Sequence, residues 1–332
     1  MEKHIQQAMN DDVIKEASLK FDIPFESIKR IGGFENFIYE FNKDGKDIIL
    51  RFAHSVHRTF EYVLSELEFI DYLSKSGANV STVIHNKDDE ISFKVNTENE
   101  EYFTVSAFSK APGTFIKREM LDDDFFEMFG KAVGKLHRLT KDFKPEHVRY
   151  QWYEEDYLEI AKRNLPSEVS FVLEEASKIT EKIKSYETDM DSYGLIHTDL
   201  HFGNMYYDNE ILTFFDFDDL AYKHFISDIA IIIFYQFAIS KDSKEVIEEK
   251  ANAFLKPFLK GYETENHLDK KWFMLLNDFF RLREAILIIV IYAEGEELME
   301  SPFGKLFTGK YLEHIKNSTD LVDIEKLLDG IY

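Results

Sequence analysis

The chain contains no cysteine. Disulfides, thiolate nucleophiles and cysteine-bound metals are excluded, although this alone does not fix the compartment. Basic charge is scarce too: 40 Lys and Arg stand against 63 Asp and Glu, a formal net charge of -23. A protein that wraps a nucleic-acid backbone needs a cationic surface to neutralise phosphate, so no nucleic-acid partner is expected. Two readings of the acidity remain: like charge that keeps the protein dispersed, or a pocket suited to a cationic substrate. Long apolar runs are missing as well. Ile229–Phe234 and Ala285–Tyr292 are too short to span a bilayer, and Met1–Asn10 carries His, Gln and charge where a signal peptide needs an apolar core. The expectation is a cytoplasmic protein with no membrane partner. No internal repeat or low-complexity linker is evident, and no feature points to an oligomeric state.

What is present suffices for packed cores: 332 residues, 44% hydrophobic and 15% aromatic. That length suggests two lobes. Asp11–Phe21 reads as a short helix. Ser27–Phe41 reads as two strands around a glycine-bearing turn, and Asp47–Ala53 as a third strand after the turn Asn42-Lys43-Asp44-Gly45. Arg58–Lys75 is helical, with Val63, Leu67 and Ile70 on one stripe, and strands follow at Ile91–Val95 and Glu101–Phe108. After Ala111-Pro112-Gly113 the pattern becomes mostly helical, beginning with the amphipathic Asp122–Leu139, whose early aspartates suit the positive end of the helix dipole. The fold class expected is α+β and bilobal: a small antiparallel-sheet lobe over residues 1–108 and a larger, mostly helical lobe over 109–332.

The polar motifs lie between Tyr186 and Ser227. His197-Thr198-Asp199-Leu200-His201-Phe202-Gly203-Asn204 has the spacing H-x-D-x-x-x-x-N, and Asp216-Phe217-Asp218 follows where a D-F-G would stand. Phosphoryl transfer asks a protein mainly to position groups and neutralise charge. Asp199 is the candidate to orient an attacking hydroxyl and accept its proton. Asn204 and Asp216 offer hard oxygen ligands suited to Mg2+ beside ATP phosphates. Each residue has a plain structural alternative in a turn or strand end, and their joint order and spacing favour the chemical reading. The alternation of His197, Asp199 and His201 would also suit a metallohydrolase, but no further ligands stand at motif spacing.

These segments, with Gly32-Gly33-Phe34-Glu35-Asn36, Ile49-Leu50-Arg51-Phe52, Gly134-Lys135-Leu136-His137 and Asp228-Ile229-Ala230, give the chain a resemblance to the aminoglycoside phosphotransferase and choline kinase superfamily, which has a protein-kinase-like fold. Within it the chain resembles the bacterial branch of type II homoserine kinases and the stress-response kinase. The resemblance implies that Gly32, Gly33 and Asn36 belong to the loop over the nucleotide phosphates, a simple hairpin turn being the alternative. It places Arg51 where a lysine is usual and Glu66, rather than Glu68, as its partner. It implies adenine contacts from backbone near Ser106–Phe108. Asp218 replaces the D-F-G glycine and is carried over with Asn204 and Asp216 as a metal ligand. Asp228 is implied to brace the catalytic loop and His137 to be a packed structural histidine, while His197 reads from its position as a brace of the loop.

Asp228 follows Asp216 closely and no A-P-E appears, so the platform for a peptide substrate is missing. The function expected is ATP- and Mg2+-dependent transfer of the γ-phosphate to a hydroxyl of a small molecule: an amino alcohol, amino acid alcohol, aminoglycoside or sugar. A Ser/Thr protein kinase of the stress-response type and a catalytically silent nucleotide-binding regulator are the alternatives. Asp219, the helix Asp278–Tyr292 with Arg281 and Arg283, and Trp152-Tyr153 are candidate walls of the acceptor pocket.

Overall fold

The computed structural model describes residues 3–33 and 35–332; Met1, Glu2 and Phe34 of the glycine loop lie outside the described residues. The chain divides into two compact units. One comprises Met1–Phe115, Phe143–Arg149 and Met205–Asp218, and the other Ile116–Asp142, Tyr150–Asn204 and Asp219–Tyr332.

The first unit is built on an antiparallel sheet. Its strands are β1 (Lys29–Gly32), β2 (Phe37–Lys43), β3 (Lys46–His54), β4 (Val83–Ile84), β5 (Ser92–Asn96) and β6 (Tyr102–Ser109). They run in the order β1-β2-β3-β6-β4, with β5 also on β6. Alternation explains which residues enter the core. Leu50 and Phe52 of β3 join Tyr39, Phe41, Phe103, Val105 and Ala107 in an apolar cluster, with Val13, Ala17 and Phe21 of the helix Asp11–Phe21. Burying each such large side chain contributes roughly 1.5–3 kcal/mol. Arg51, between Leu50 and Phe52, faces the other way. The helix Phe60–Lys75 starts where the Thr59 side chain accepts from the Tyr62 N–H at 3.2 Å, and it buries Val63, Glu66, Leu67, Ile70 and Leu73. A glutamate on that apolar stripe needs a buried cationic partner.

The first unit is not continuous in sequence. Strands Met205–Asp208 and Ile211–Phe214 form a hairpin whose outer partner is Thr114–Phe115. Phe214 exchanges main-chain hydrogen bonds with Asn79 and Ser81 at 3.0 and 2.9 Å. These long-range ladders recruit the D-F-D segment to the same unit as the sheet, and Phe217 packs fully buried against Phe69.

The second unit is mainly helical. Asp123–Thr140 and Lys244–Tyr262 make its most extensive helix pair, and a Cβ on Gly130 would lie 1.8 Å from the Phe258 carbonyl oxygen. Glycine there allows the two backbones to approach. Leu276–Glu294 packs on Tyr157–Asn164, Phe171–Lys184 and Ile226–Ile233. The helix Ile226–Ile233 continues into a wider π-helical turn over Phe234–Ala238. A short antiparallel pair, Tyr193–Ile196 with Ala221–His224, carries the chain into the His197–Asn204 loop and anchors that side of it. Among the described residues no helix is long and apolar enough to cross a membrane.

Candidate active site

In the first unit Arg51 and Glu66 form the expected buried pair. The guanidinium forks onto both carboxylate oxygens, Nη1 to Oε1 at 2.8 Å and Nη2 to Oε2 at 2.5 Å. Arg51 also lies 3.6 Å from Asp218 Oδ1 and stacks on the Phe108 ring with 5.1 Å to its centroid. Burial works against its charge, but Glu66, Asp218 and Asp216 outweigh it and push its pKa above the ordinary arginine value. Glu68 is engaged elsewhere, accepting from the Glu146 and His147 N–H groups at 2.7 and 3.1 Å.

Asp218 lies within a collar of arginines. Arg58 Nε is 3.4 Å from its Oδ2, Arg51 is the neighbour already given, and Arg149 Nη2 donates to its carbonyl. Asn36 Nδ2 donates to Oδ2 at 3.2 Å, turning the Asn36 side chain into the protein. Burial would raise the Asp218 carboxyl, but Arg58, Arg51 and Arg149 hold it down to about 2. A carboxylate so thoroughly neutralised by guanidinium groups is a poor donor for a cation, which would have to approach through fixed positive charge. Asp216 is different: its residue is exposed, and φ is +64°. In the glycine loop Gly33 has φ +117°, and a Cβ there would lie 1.8 Å from the Asn36 carbonyl oxygen. Only glycine suits that position, whereas Gly32 has open space around it. Ser106 and Phe108 are paired on both sides, Ser106 with Arg51 and Ser92, Phe108 with Ile49 and Val83. Their main chain is therefore occupied by the sheet.

In the second unit Thr198 has φ +62°, an uncommon conformation for a β-branched residue. Two bonds hold it: its N–H donates to Asp228 Oδ1 at 2.9 Å and its Oγ1 to the Asp219 carbonyl at 2.5 Å. Asp228 Oδ2 lies 3.2 Å from His137 Nε2, whose other ring nitrogen lies 2.9 Å from Tyr262 Oη. This buried chain fixes the turn that presents Asp199.

Three donors converge on the Asp199 carboxylate. Arg283 Nη2 reaches Oδ1 at 2.5 Å, while Asn204 Nδ2 and His201 Nε2 reach Oδ2 at 3.0 and 3.2 Å. Burial would raise the Asp199 carboxyl, but Arg283, His201 and His197 hold it below the ordinary range. Asn204 Nδ2 also donates to the Asp199 carbonyl at 3.0 Å. With its nitrogen committed, the Asn204 amide presents its oxygen, which accepts no hydrogen bond among the described residues. The Asn204 oxygen in the second unit and the exposed Asp216 carboxylate in the first are each hard donors of the kind a divalent cation prefers.

Of the candidate walls, Arg281 is taken by the His314 and Thr319 carbonyls at 2.8 and 2.6 Å, and Trp152 is buried. Neither is open to an acceptor. Sequence reasoning missed Arg58 and Arg149, which carry no motif, and Tyr235, whose setting in Ile231–Ala238 reads as core. It also missed Lys223, a buried ammonium over the Trp152 ring at 5.3 Å, lowered to about 8 chiefly by burial.

The family described as phosphotransferase enzymes matches residues 27–268. The chain belongs to the phosphotransferase enzyme family. It is a kinase, acting with ATP and a divalent cation on a hydroxyl of a small molecule. It is 30% identical to the amicoumacin kinase of Bacillus subtilis (strain 168) over 292 residues, 86% of each chain. It also resembles a solved amicoumacin kinase in complex with AMP-PNP, Ca2+ and Ami, at 27% identity and TM-score 0.90, covering 98% of this chain and 100% of that one. A microcompartment-associated aminopropanol kinase shares the fold at TM-score 0.72 and 19% identity, over 97% and 99% of the two chains. The protein-kinase-like α+β fold and the superfamily expected from sequence are borne out; the homoserine kinase branch is a finer placement than these matches reach.

Proposed function

We propose that this phosphotransferase is a cytoplasmic enzyme that phosphorylates a hydroxyl of an amicoumacin-like natural product, with Mg2+ as the cation. The observation that carries this reading is the likeness to amicoumacin kinases, which extends over nearly the whole chain, including the helices of the second unit. In this reading Asp199 orients the acceptor hydroxyl and takes its proton. Asn204 and Asp216 supply oxygen donors for Mg2+, which when bound neutralises charge on the nucleotide phosphates. Gly32, Gly33 and Asn36 shape the phosphate loop. Arg51, held by Glu66, contributes fixed positive charge toward the phosphates. Asp218 is reassigned from metal ligand to anchor of the Arg51, Arg58 and Arg149 collar, because guanidinium groups already neutralise it.

A small amino alcohol is the second reading, favoured by the fold shared with the aminopropanol kinase. Homoserine, choline, ethanolamine, an aminoglycoside, a sugar and a protein hydroxyl are further outcomes of one experiment. Purified protein is incubated with Mg2+, γ-labelled ATP and each acceptor, amicoumacin A included, and products are identified by mass. Transfer to amicoumacin A is the expected result. Transfer to an amino alcohol or protein alone overturns the reading, and ATP binding without any phosphorylated product favours a regulator.

A further inference from the structure

The donors around Asp199 leave little of its carboxylate open. A carboxylate has about four lone-pair sites. Asn204 and His201 take both on Oδ2, and Arg283 takes one on Oδ1. His201 is set for this bond, because the Gly203 N–H donates to its Nδ1 at 2.9 Å, which leaves Nε2 to carry the proton. The one remaining site is the second lone pair of Oδ1, on the oxygen that Arg283 already touches. An acceptor hydroxyl bound there lies beside the guanidinium.

Arg283 is itself firmly placed. Nη2 spends its second proton on Tyr235 Oη at 2.6 Å, and the guanidinium carbon lies 5.1 Å from the Tyr235 ring centroid. Tyr235 belongs to the π-helical turn Phe234–Ala238, and the His201 ring lies 4.9 Å from its own. Such turns redirect a helical side chain and recur at functional sites. Arg283 Nε is sealed and unpartnered, whereas Nη1 makes no hydrogen bond among the described residues and is not sealed. The side chain is 19% exposed, so this terminal nitrogen is the part that meets the space beside Asp199.

We propose that Arg283, held by Tyr235, determines acceptor specificity: it fixes Asp199 through Nη2 and offers Nη1 to an oxygen neighbouring the reacting hydroxyl. The favoured acceptor carries a carbonyl, amide or hydroxyl oxygen on the adjacent carbon. An ammonium on that carbon meets a fixed cation and is rejected, because like charges brought together cost several kcal/mol. An amine farther along the acceptor is compatible with the site. The inference deepens the proposed function, resting on Asp199 as the residue that receives the hydroxyl.

The test compares kcat/KM for two small probes, glyceramide (an α-hydroxy amide) and 1-amino-2-propanol (a vicinal amino alcohol), in wild type, Arg283→Lys, Arg283→Met and Tyr235→Phe. Wild type is expected to prefer glyceramide. Arg283→Met is expected to narrow or reverse that preference by roughly 10–100-fold, the scale of one hydrogen bond to a charged group. Arg283→Lys, which keeps the charge, is expected to retain rejection of the amine while losing activity on both probes. Tyr235→Phe should weaken the preference less than Arg283→Met. A structural role alone lowers kcat/KM for both probes equally, and that result overturns the proposal. A wild type that prefers 1-amino-2-propanol, or turns over neither probe, overturns it as well. Failure to phosphorylate amicoumacin A sinks the proposed acceptor while leaving the probe ratio to decide this inference.

Discussion

Replacing Arg51 by the lysine usual at its position tests why this chain departs from the common residue. The guanidinium makes two charge-assisted bonds with Glu66 at 2.8 and 2.5 Å, lies 3.6 Å from Asp218 and stacks at 5.1 Å on Phe108. An ammonium is a point donor: it can keep one strong bond to Glu66, but it cannot fork and gives up the planar stack. One lost charge-assisted bond is worth about 1.5–3 kcal/mol and the stack on a buried ring roughly 0.5–2 kcal/mol. Asp218 would retain Arg58 and Arg149, so its carboxylate does not become an unpaired buried charge. Arg51→Lys is therefore expected to cost about 2–5 kcal/mol in the first unit, yet to leave a positive charge for the nucleotide. Urea unfolding followed by fluorescence measures the first quantity, and calorimetric titration with AMP-PNP and Mg2+ the second. A variant as stable as wild type would refute the fork as the reason for arginine. A collapse of nucleotide affinity at unchanged stability would show that the arginine geometry serves the phosphates directly.

Two further perturbations are informative. Asp199→Asn preserves shape but cannot accept a proton; kcat is expected to fall by about 10²–10⁴ with AMP-PNP affinity nearly unchanged, and single-turnover transfer at the wild-type rate would sink the assigned role. His224 is a buried imidazole among Tyr193, Trp272 and Phe279, its Nε2 3.1 Å from the Glu187 carbonyl. Burial first, and Lys223 beside it second, lower it to about 4 from the ordinary 6.5. The unfolded chain thus takes up a proton before the folded one does. Its contribution to stability is complete above about pH 6.5, declines as pH falls toward 4, and levels off below, a loss of ~3 kcal/mol in all. Urea unfolding at several pH values should show this slope in wild type and its absence in His224→Phe; an identical slope in both places the titration elsewhere.

Periodicity made the sheet and the long helices readable, because one buried face leaves an alternating or helical trace. Spacing made Asp199, Asn204 and Asp216 readable, because the loop that carries the first two is local. Glu66 was readable through the resemblance, which implies a helix glutamate paired with the cation of β3, and the Arg51 fork bears that pairing out. The arginine collar was not. Arg58 and Arg149 reach Asp218 from 160 and 69 residues away, through a fold in which Phe214 joins Asn79 and Ser81. No local pattern marks a residue whose partner is supplied by such a ladder. The same limit applies to Ser106–Phe108. Its strand is visible in sequence, but only the sheet order shows that both edges are taken.

The two carboxylates that matter most are treated alike, and this connects composition to mechanism. Asp218 is ringed by Arg51, Arg58 and Arg149, and Asp199 is clasped by Arg283. The chain carries 63 acidic residues against 40 basic ones, so unassisted burial of more negative charge would be costly. A guanidinium solves this better than an ammonium, because its donors have fixed directions and its charge does not titrate away. It also orients the carboxylate it neutralises. That second property separates the sites. At Asp218 three guanidinium groups and the Asn36 amide surround the residue, which suits an anchor. At Asp199 one oxygen site is left open, and it lies beside Arg283. That open site is where the proposed function places the acceptor hydroxyl, so the placement of the buried arginines separates an anchoring carboxylate from one with room for a substrate.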